Sequence, residues 1–434
     1  MDVEDIVESE LVTSMYQPIV ELDTGRIVAY EALARGPVGS DLESPTALFA
    51  AAAERGMTAD LDWLCRAAAV RGALAAGLGR ETMLFVNVEP STLRSPRPQR
   101  FDDLDALARS QLSIVVEVTE RSVVNDPAAL ISTLGRIRAA GMGVAIDDLG
   151  AEPDSLVLLP FVAPDVTKLD LRLIQHAADG EISSIAGAVR ADAERRGSWI
   201  LAEGIETEAH LNRALVFGAQ LGQGWMFGLP APLPTDLERG RRRPGGSIIE
   251  LARARPVVAT PWELVADWPQ RRNADKGHLK PMSHHVEQRA VDGPSRVVLS
   301  AFQDAAFFTP GTRHRYEELA RRHALVGVVA SGMTTAPGIG VRGGALESCH
   351  PMADEWTVTV VGPHDAAALI ARKRTDVETD IDDEEVFEYV ITHDRETVIA
   401  AARSLMQYLQ PEQSPRPLSD RISEDGRSNA APNR

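Results

Sequence analysis

Acidic and amide side chains recur at the ends of apolar runs in the first half of this chain. Glu31 lies in IVAYEALAR, Asn87 in MLFVNVEP and Glu117 in SIVVEVTE, while Asp147 and Asp148 end VAIDD. Lys168 sits in VTKLD and Glu203 ends WILAEG. Taken singly, each is an ordinary helix cap or loop carboxylate. Taken together, five carboxylates and an asparagine at one place would repel strongly unless cations neutralised them. All-oxygen ligation without paired Cys or His favours hard divalent ions, Mg²⁺ or Mn²⁺, over structural Zn²⁺. The adjacent Asp147 and Asp148 can place one carboxylate between two ions. Two ions roughly 3.5–4 Å apart clamp the attacking and leaving oxygens of a phosphoryl displacement and acidify a bridging water. Lys168 would add a fixed positive charge. The chemistry implied is metal-dependent phosphoester hydrolysis.

For these residues to meet, the elements carrying them must end on one face, as the strands of a βα barrel do. The pattern allows this. Strand-like runs are Tyr16–Val20, Ile27–Ala34, Met83–Val88, Ser113–Val118, Val144–Asp147, Val166–Leu169 and Trp199–Ala202. Helical stretches lie between them at Thr46–Glu54, Leu61–Ala76, Pro127–Ala140, Ile182–Arg195 and Glu208–Phe217. Such alternation predicts repeated βα units around a parallel sheet, and most strands are apolar on both faces, as a helix-covered barrel requires. An acidic tail (residues 1–9) precedes the barrel (10–243), whose end is marked by the Pro/Gly/Arg-rich stretch Arg239–Gly246. A connector (244–283) with a short helix at Ile248–Ala254 leads to a smaller α/β domain (284–410). The polar tail (411–434) reads as disordered.

The chain has 434 residues, with 45 Lys+Arg against 63 Asp+Glu and a net charge of −18. So acidic a surface argues against a DNA-binding protein or an anionic-membrane binder. Cys65 and Cys349 are too few for a disulfide framework and fit a reducing compartment. The N-terminus MDVEDIVESE is not a signal peptide, and no apolar run reaches the ~18 residues of a membrane span, so the expected location is cytoplasmic.

Ordered motifs carry a resemblance over about residues 10–240. They are Gln17-Pro18-Ile19, Glu31-Ala32-Leu33-Ala34-Arg35, Asn87, Glu117-Val118-Thr119-Glu120, Asp147-Asp148, Lys168-Leu169-Asp170, Ala202-Glu203-Gly204-Ile205-Glu206 and Gln223-Gly224. This series resembles the EAL-domain cyclic di-GMP phosphodiesterases. The resemblance implies a modified TIM (βα)8 barrel with one antiparallel strand, two divalent cations, and cleavage of one phosphodiester bond of cyclic di-GMP to linear pGpG. By the same resemblance, Glu31, Asn87, Glu117 and Asp147 hold one metal, and Asp147, Asp148 and Glu203 surround the second. Glu203 as general base and Lys168 are then catalytic along with Glu31. Gln17, Leu33, Arg35, Asp170 and Gln223 contact substrate, Arg35 through a phosphate. Glu120 and Glu206 support the ligands, and a homodimer is expected.

The chain departs from the family after the paired aspartates. Where the family usually continues Phe-Gly-Thr-Gly-Tyr-Ser-Ser-Leu, this sequence reads Leu149-Gly150-Ala151-Glu152-Pro153-Asp154-Ser155-Leu156. That loop helps form the second metal site and the dimer interface in the family. Two readings therefore stand: an active phosphodiesterase, or a barrel that binds cyclic di-GMP or a partner protein without useful turnover. No Gly-Gly-Asp/Glu-Glu-Phe stretch accompanies it, which argues against synthesis of the nucleotide by the same polypeptide.

Residues from about 290 to 410 resemble the DICT sensory module. The matching segments are Phe302-Gln303, Phe307-Phe308-Thr309-Pro310, Arg315-Tyr316, Leu319-Ala320, Glu355-Trp356, Gly362-Pro363-His364, Ala367-Ala368-Leu369 and Thr392-His393-Asp394-Arg395. The resemblance implies regulation of the barrel by an unknown ligand or partner. Trp356, Phe307, Phe308 and Tyr316 read as core aromatics, and His364 and His393 as structural histidines. His284-His285 has no partner cluster for a metal, and the acidic run Asp376–Glu385 reads as a solvated loop.

Overall fold

The computed structural model describes residues 2–119, 124–149, 156–176, 180–234, 260–291, 295–375 and 385–411. Glu120, the loop 150–155, the basic cluster Arg239–Gly246, the helix expected at Ile248–Ala254, most of the acidic run and the tail from 412 lie outside them. The chain divides into two compact units, one of residues 1–123 and 129–256, the other of 124–128 and 257–434.

The first unit is a closed barrel of eight strands: β1 (Thr13–Glu21), β2 (Ile27–Arg35), β3 (Met83–Asn87), β4 (Ser113–Thr119), β5 (Gly143–Leu149), β6 (Val166–Leu169), β7 (Trp199–Ala202) and β8 (Leu221–Gln223). β1 pairs antiparallel with both β2 and β8, whereas every other neighbouring pair from β2 to β8 is parallel. This is the modified TIM barrel with one reversed strand. β8 has no counterpart among the runs predicted from sequence, because Leu221-Gly222-Gln223 offers too short an apolar pattern to register as a strand. The barrel is filled by a layer that includes Ile19, Ala29, Phe85, Val115, Ala145, Val166, Leu201 and Leu221, all fully buried.

Side chains alternate across a strand with period two. Each interior residue of that layer is therefore followed, two positions toward the C-terminal rim, by another inward residue. The followers are Glu31, Asn87, Glu117, Asp147, Lys168, Glu203 and Gln223. On the reversed β1 the order inverts, so Gln17, two residues before Ile19, faces Glu31 across the β1–β2 register. One polar storey thus stands directly on one apolar storey.

The second unit holds a seven-stranded sheet ordered β12-β11-β10-β13-β14-β15-β9. Its strands are β9 (Arg272–Asp275), β10 (Val297–Asp304), β11 (Leu325–Ser331), β12 (Arg342–Leu346), β13 (Glu355–Val361), β14 (Ala366–Lys373) and β15 (Val386–Thr392). β10, β11 and β12 run parallel and the remaining pairs antiparallel. Val298, Tyr316, Val328, Trp356, Val358 and Phe387 anchor its core. The connector expected to reach residue 283 ends earlier. β9 pairs with β15 at the sheet edge, and the helix Lys276–Gln288 buries Leu279 and Val286 in the core. The polar segment RRNADKGH hides both elements from a reading by hydropathy. Among the aromatics, Phe307 departs from the expectation of burial: it is 37% exposed, with Lys276 Nζ lying 4.0 Å from its ring centroid.

Candidate active site at the barrel mouth

Lys168 is the hub of the polar storey. Its ammonium is fully buried and lies 2.7 Å from Glu117, 2.8 Å from Asp147, 2.8 Å from Glu203 and 3.5 Å from Glu31. Glu31 also accepts from Gln223 Nε2 at 2.6 Å and from Asn87 Nδ2 at 3.3 Å. Gln223 Nε2 reaches Gln17 Oε1 at 3.1 Å, and Gln17 Nε2 donates to the Gly228 carbonyl at 3.2 Å. Carboxylate oxygens of Asp147, Asp148 and Glu203 all lie within 4.8 Å of one another.

The electrostatics follow from burial and crowding. Burial lowers an amine's proton affinity, but Asp147, Glu117, Glu203 and Glu31 outweigh it and raise the Lys168 pKa well above the ordinary lysine range. Burial, then the charge of Glu31, pushes the Glu117 carboxyl well above the carboxylate range against the pull of Lys168. Burial lifts Glu203 to about 8, with Lys168 opposing and Asp147 adding to the rise. Glu31 falls below the ordinary value despite burial, because Lys168, Gln223 and Asn87 stabilise its charge. Burial and the adjacent Asp147 raise Asp148, which sits in the left-handed region at φ 56°. A non-glycine residue there is uncommon, and aspartate is among those that tolerate it.

The donor set fits divalent cations. Glu31, Glu117, Asp147, Asp148 and Glu203 against the single ammonium of Lys168 leave four negative charges when all are ionised, the number two divalent ions neutralise. Glu117 Oε2 is buried with no hydrogen-bond partner among the described residues, an unsatisfied acceptor of the kind a cation would complete.

The remaining site residues predicted from sequence surround this cluster unevenly. Arg35 ends β2 with its guanidinium half-buried, donating to the Ala34 carbonyl at 2.7 Å and holding no carboxylate among the described residues. Leu33, two residues earlier on β2, pairs with Met15 of β1. Asp170 caps the helix Leu171–Gln175, accepting from Arg172 N at 2.7 Å and Arg172 Nε at 3.0 Å. Glu206 is exposed; its carboxylate accepts from Gln175 Nε2 at 3.4 Å and its own amide donates to the His210 ring at 3.3 Å. Two positioning features carry little or no sequence signal of this role. Gln175 Nε2 donates to the Gly204 carbonyl at 3.1 Å, holding the turn after Glu203. Gly224, at φ 153°, packs so close to the backbone of Ile205 that a Cβ would lie 2.2 Å from its carbonyl oxygen. The chain after Gln223 is thereby laid against the loop after Glu203.

Residues 2–230 match the family model of the EAL domain. The chain belongs to the EAL-domain family. Residues 263–374 match a second model, the sensory domain in diguanylate cyclases and two-component systems. Among curated relatives, the cyclic di-GMP phosphodiesterase RocR of Pseudomonas aeruginosa is 31% identical over 225 residues, covering 50% of this EAL chain and 57% of RocR. An uncharacterized protein of Mycobacterium tuberculosis, Rv1354c, is 30% identical over 233 residues, 52% of this chain and 37% of its own length. The chain thus spans well under two thirds of these relatives. The Klebsiella pneumoniae BlrP1 manganese and cyclic di-GMP complex is 31% identical, covering 51% of this chain and 56% of that one at a TM-score of 0.45. Among the described residues no helix is long and apolar enough to cross a membrane.

Proposed function

We propose that the barrel hydrolyses one phosphodiester bond of cyclic di-GMP to give linear pGpG, and that the second unit regulates it. The observation that supports this best is the single polar storey at the mouth, with its unneutralised carboxylates, in a chain whose relative RocR is named a cyclic di-GMP phosphodiesterase. Glu31, Asn87, Glu117 and Asp147 would hold one divalent cation, and Asp147, Asp148 and Glu203 the second. Such cations, Mg²⁺ or Mn²⁺, supply charge neutralisation at phosphate and a lowered pKa for water.

The chain's own residues do the rest. Arg35, free of any described carboxylate, offers its guanidinium to a phosphate oxygen. Gln17, Leu33, Asp170 and Gln223 flank the nucleotide. Glu203, whose Oε1 lies 2.8 Å from Lys168 Nζ, would take the proton of the attacking water while the ammonium stays charged and stabilises the developing negative charge.

The test is purified protein with Mg²⁺ or Mn²⁺ and cyclic di-GMP, with pGpG quantified. Product above that of a Glu31→Ala control is expected. Intact nucleotide binding without such product would favour the receptor reading, which the departure from the family sequence after Asp148 motivates. Lys168→Ala should lower turnover about a hundredfold or more while divalent affinity is retained, since an ammonium ligates no cation. Parallel loss of both, by activity assay and calorimetric titration, would contradict the assigned role.

A further inference from the structure

A cavity of about 440 Å³ lies away from the mouth, between the outer face of the barrel and its helices. Its volume is in the range of roughly 300–1,000 Å³ typical of small-molecule sites. Most of its wall is apolar. Val86 and Val88 of the β3 end, Ile114 and Val116 of β4, and Ala67 and Ala108 of two covering helices contribute to it.

The polar part of the wall is cationic. Arg66, Arg97, Arg109 and Arg136 line it against one carboxylate, Asp105. Arg97 and Arg109 share that carboxylate, and Arg97 also pairs with Asp102 at 2.8 Å. Arg66 pairs with Asp62 and stacks 3.6 Å from the centroid of the Trp63 ring. Arg136 donates to the Leu93 carbonyl at 3.0 Å and to Thr133 Oγ1 at 2.8 Å, and meets no carboxylate among the described residues. Burial holds Arg66 below the ordinary arginine range, opposed by Asp62 and reinforced by the like charge of Arg136. Trp63, also in the wall, has a buried indole N–H without a partner among the described residues. The Arg136 guanidinium, matched by no described carboxylate, and a spare donor beside an apolar hollow call for a ligand with an anionic head and a hydrocarbon body.

We propose that this cavity binds an amphipathic carboxylate, of the size of a medium-chain fatty acid, behind strands β3 and β4. The head would lie by Arg136 and Arg66, and the chain along the valines and alanines. The strand period makes the location consequential. Val86 and Val88 flank Asn87, and Val116 precedes Glu117, so the wall of this cavity and the polar storey are opposite faces of the same strand ends. Asp62 extends the link, because it holds both Arg66 and the segment after Asn87, accepting from Glu89 N at 3.0 Å and from Thr92 Oγ1 at 2.8 Å.

The test is calorimetric titration of the full-length chain with decanoate below its micelle concentration, and with decyltrimethylammonium as a probe of the same chain length and opposite charge. Saturable one-to-one binding of decanoate is expected, with the cation at least tenfold weaker. Ala108→Phe, which fills the apolar end, and Arg136→Gln, which removes the unpaired head group, should each weaken decanoate at least tenfold. Absence of saturable binding, equal binding of the cation, or unchanged affinity in both variants would overturn the proposal. The charge comparison uses the unaltered protein and holds even where a variant fails to fold. Binding is the readout throughout, so the outcome is independent of whether the barrel turns over cyclic di-GMP.

Discussion

Asp148, a proposed metal ligand, shows what such a role would cost its own fold. It occupies a left-handed backbone conformation next to Asp147, where burial and the charges of Asp147 and Asp170 outweigh the pull of Lys168 and Arg172. Asp148→Asn keeps the shape, suits the left-handed region and deletes the repulsion. The metal-free variant should melt roughly 1–3 °C higher than the parent. Its Mn²⁺ affinity should fall by roughly tenfold or more, the scale on which even outer partners of a metal matter. Thermal unfolding and titration check the two halves, and a variant both less stable and equally avid would refute the assignment. The identities of the cluster were readable from the sequence because Glu, Asp, Asn and Lys interrupt apolar runs. What was not readable is that Lys168 bridges four of the carboxylates, for distances between strand ends depend on barrel closure.

Strands and helices were legible where hydropathy alternates cleanly. β6 and β7 fall where their apolar runs predict them. β8 and β9 escaped because three residues of β8 and the polar Arg272–Asp275 become strands only by pairing with β1, β7 and β15. β13 carries a further consequence. Its first residue, Glu355, is buried and accepts from the Trp262 amide at 3.1 Å, and burial lifts its carboxyl from 4.5 to about 7 despite Thr260, Trp262 and Arg372, with Glu263 adding to the rise. The folded state therefore binds a proton that the unfolded chain has released. The stability this confers is complete below the unfolded value near 4.5 and is lost as pH rises through about 7. The loss is on the order of 3 kcal/mol. The melting temperature of the full chain should fall more steeply between pH 5 and 7 in the parent than in Glu355→Gln, and identical slopes would refute the claim.

At the scale of the molecule, the proposed substrate, an anionic nucleotide, would approach a chain of net charge −18. Raising ionic strength from about 0.01 M to 0.15 M shortens the screening length from ~30 to ~8 Å. With divalent cation saturating, KM for cyclic di-GMP should fall roughly two- to fivefold over that range. A rise instead would mean that the local field at the mouth, where Arg35 stands, governs encounter. The division of the chain near residue 257 supplies the second test. Removing the residues beyond it should change the rate of pGpG formation while the barrel's circular dichroism persists. An unchanged rate would end the regulatory reading. The sequence alone determined the residue types, their order along the strands and hence the kind of chemistry to propose, since oxygen donors at two-residue steps beyond apolar positions require no coordinates to be noticed. Only the tertiary structure decided that they form one storey with a lysine at its centre, which strands close the barrel, and that a cationic hollow lies behind two of them, because these properties belong to pairings between distant segments.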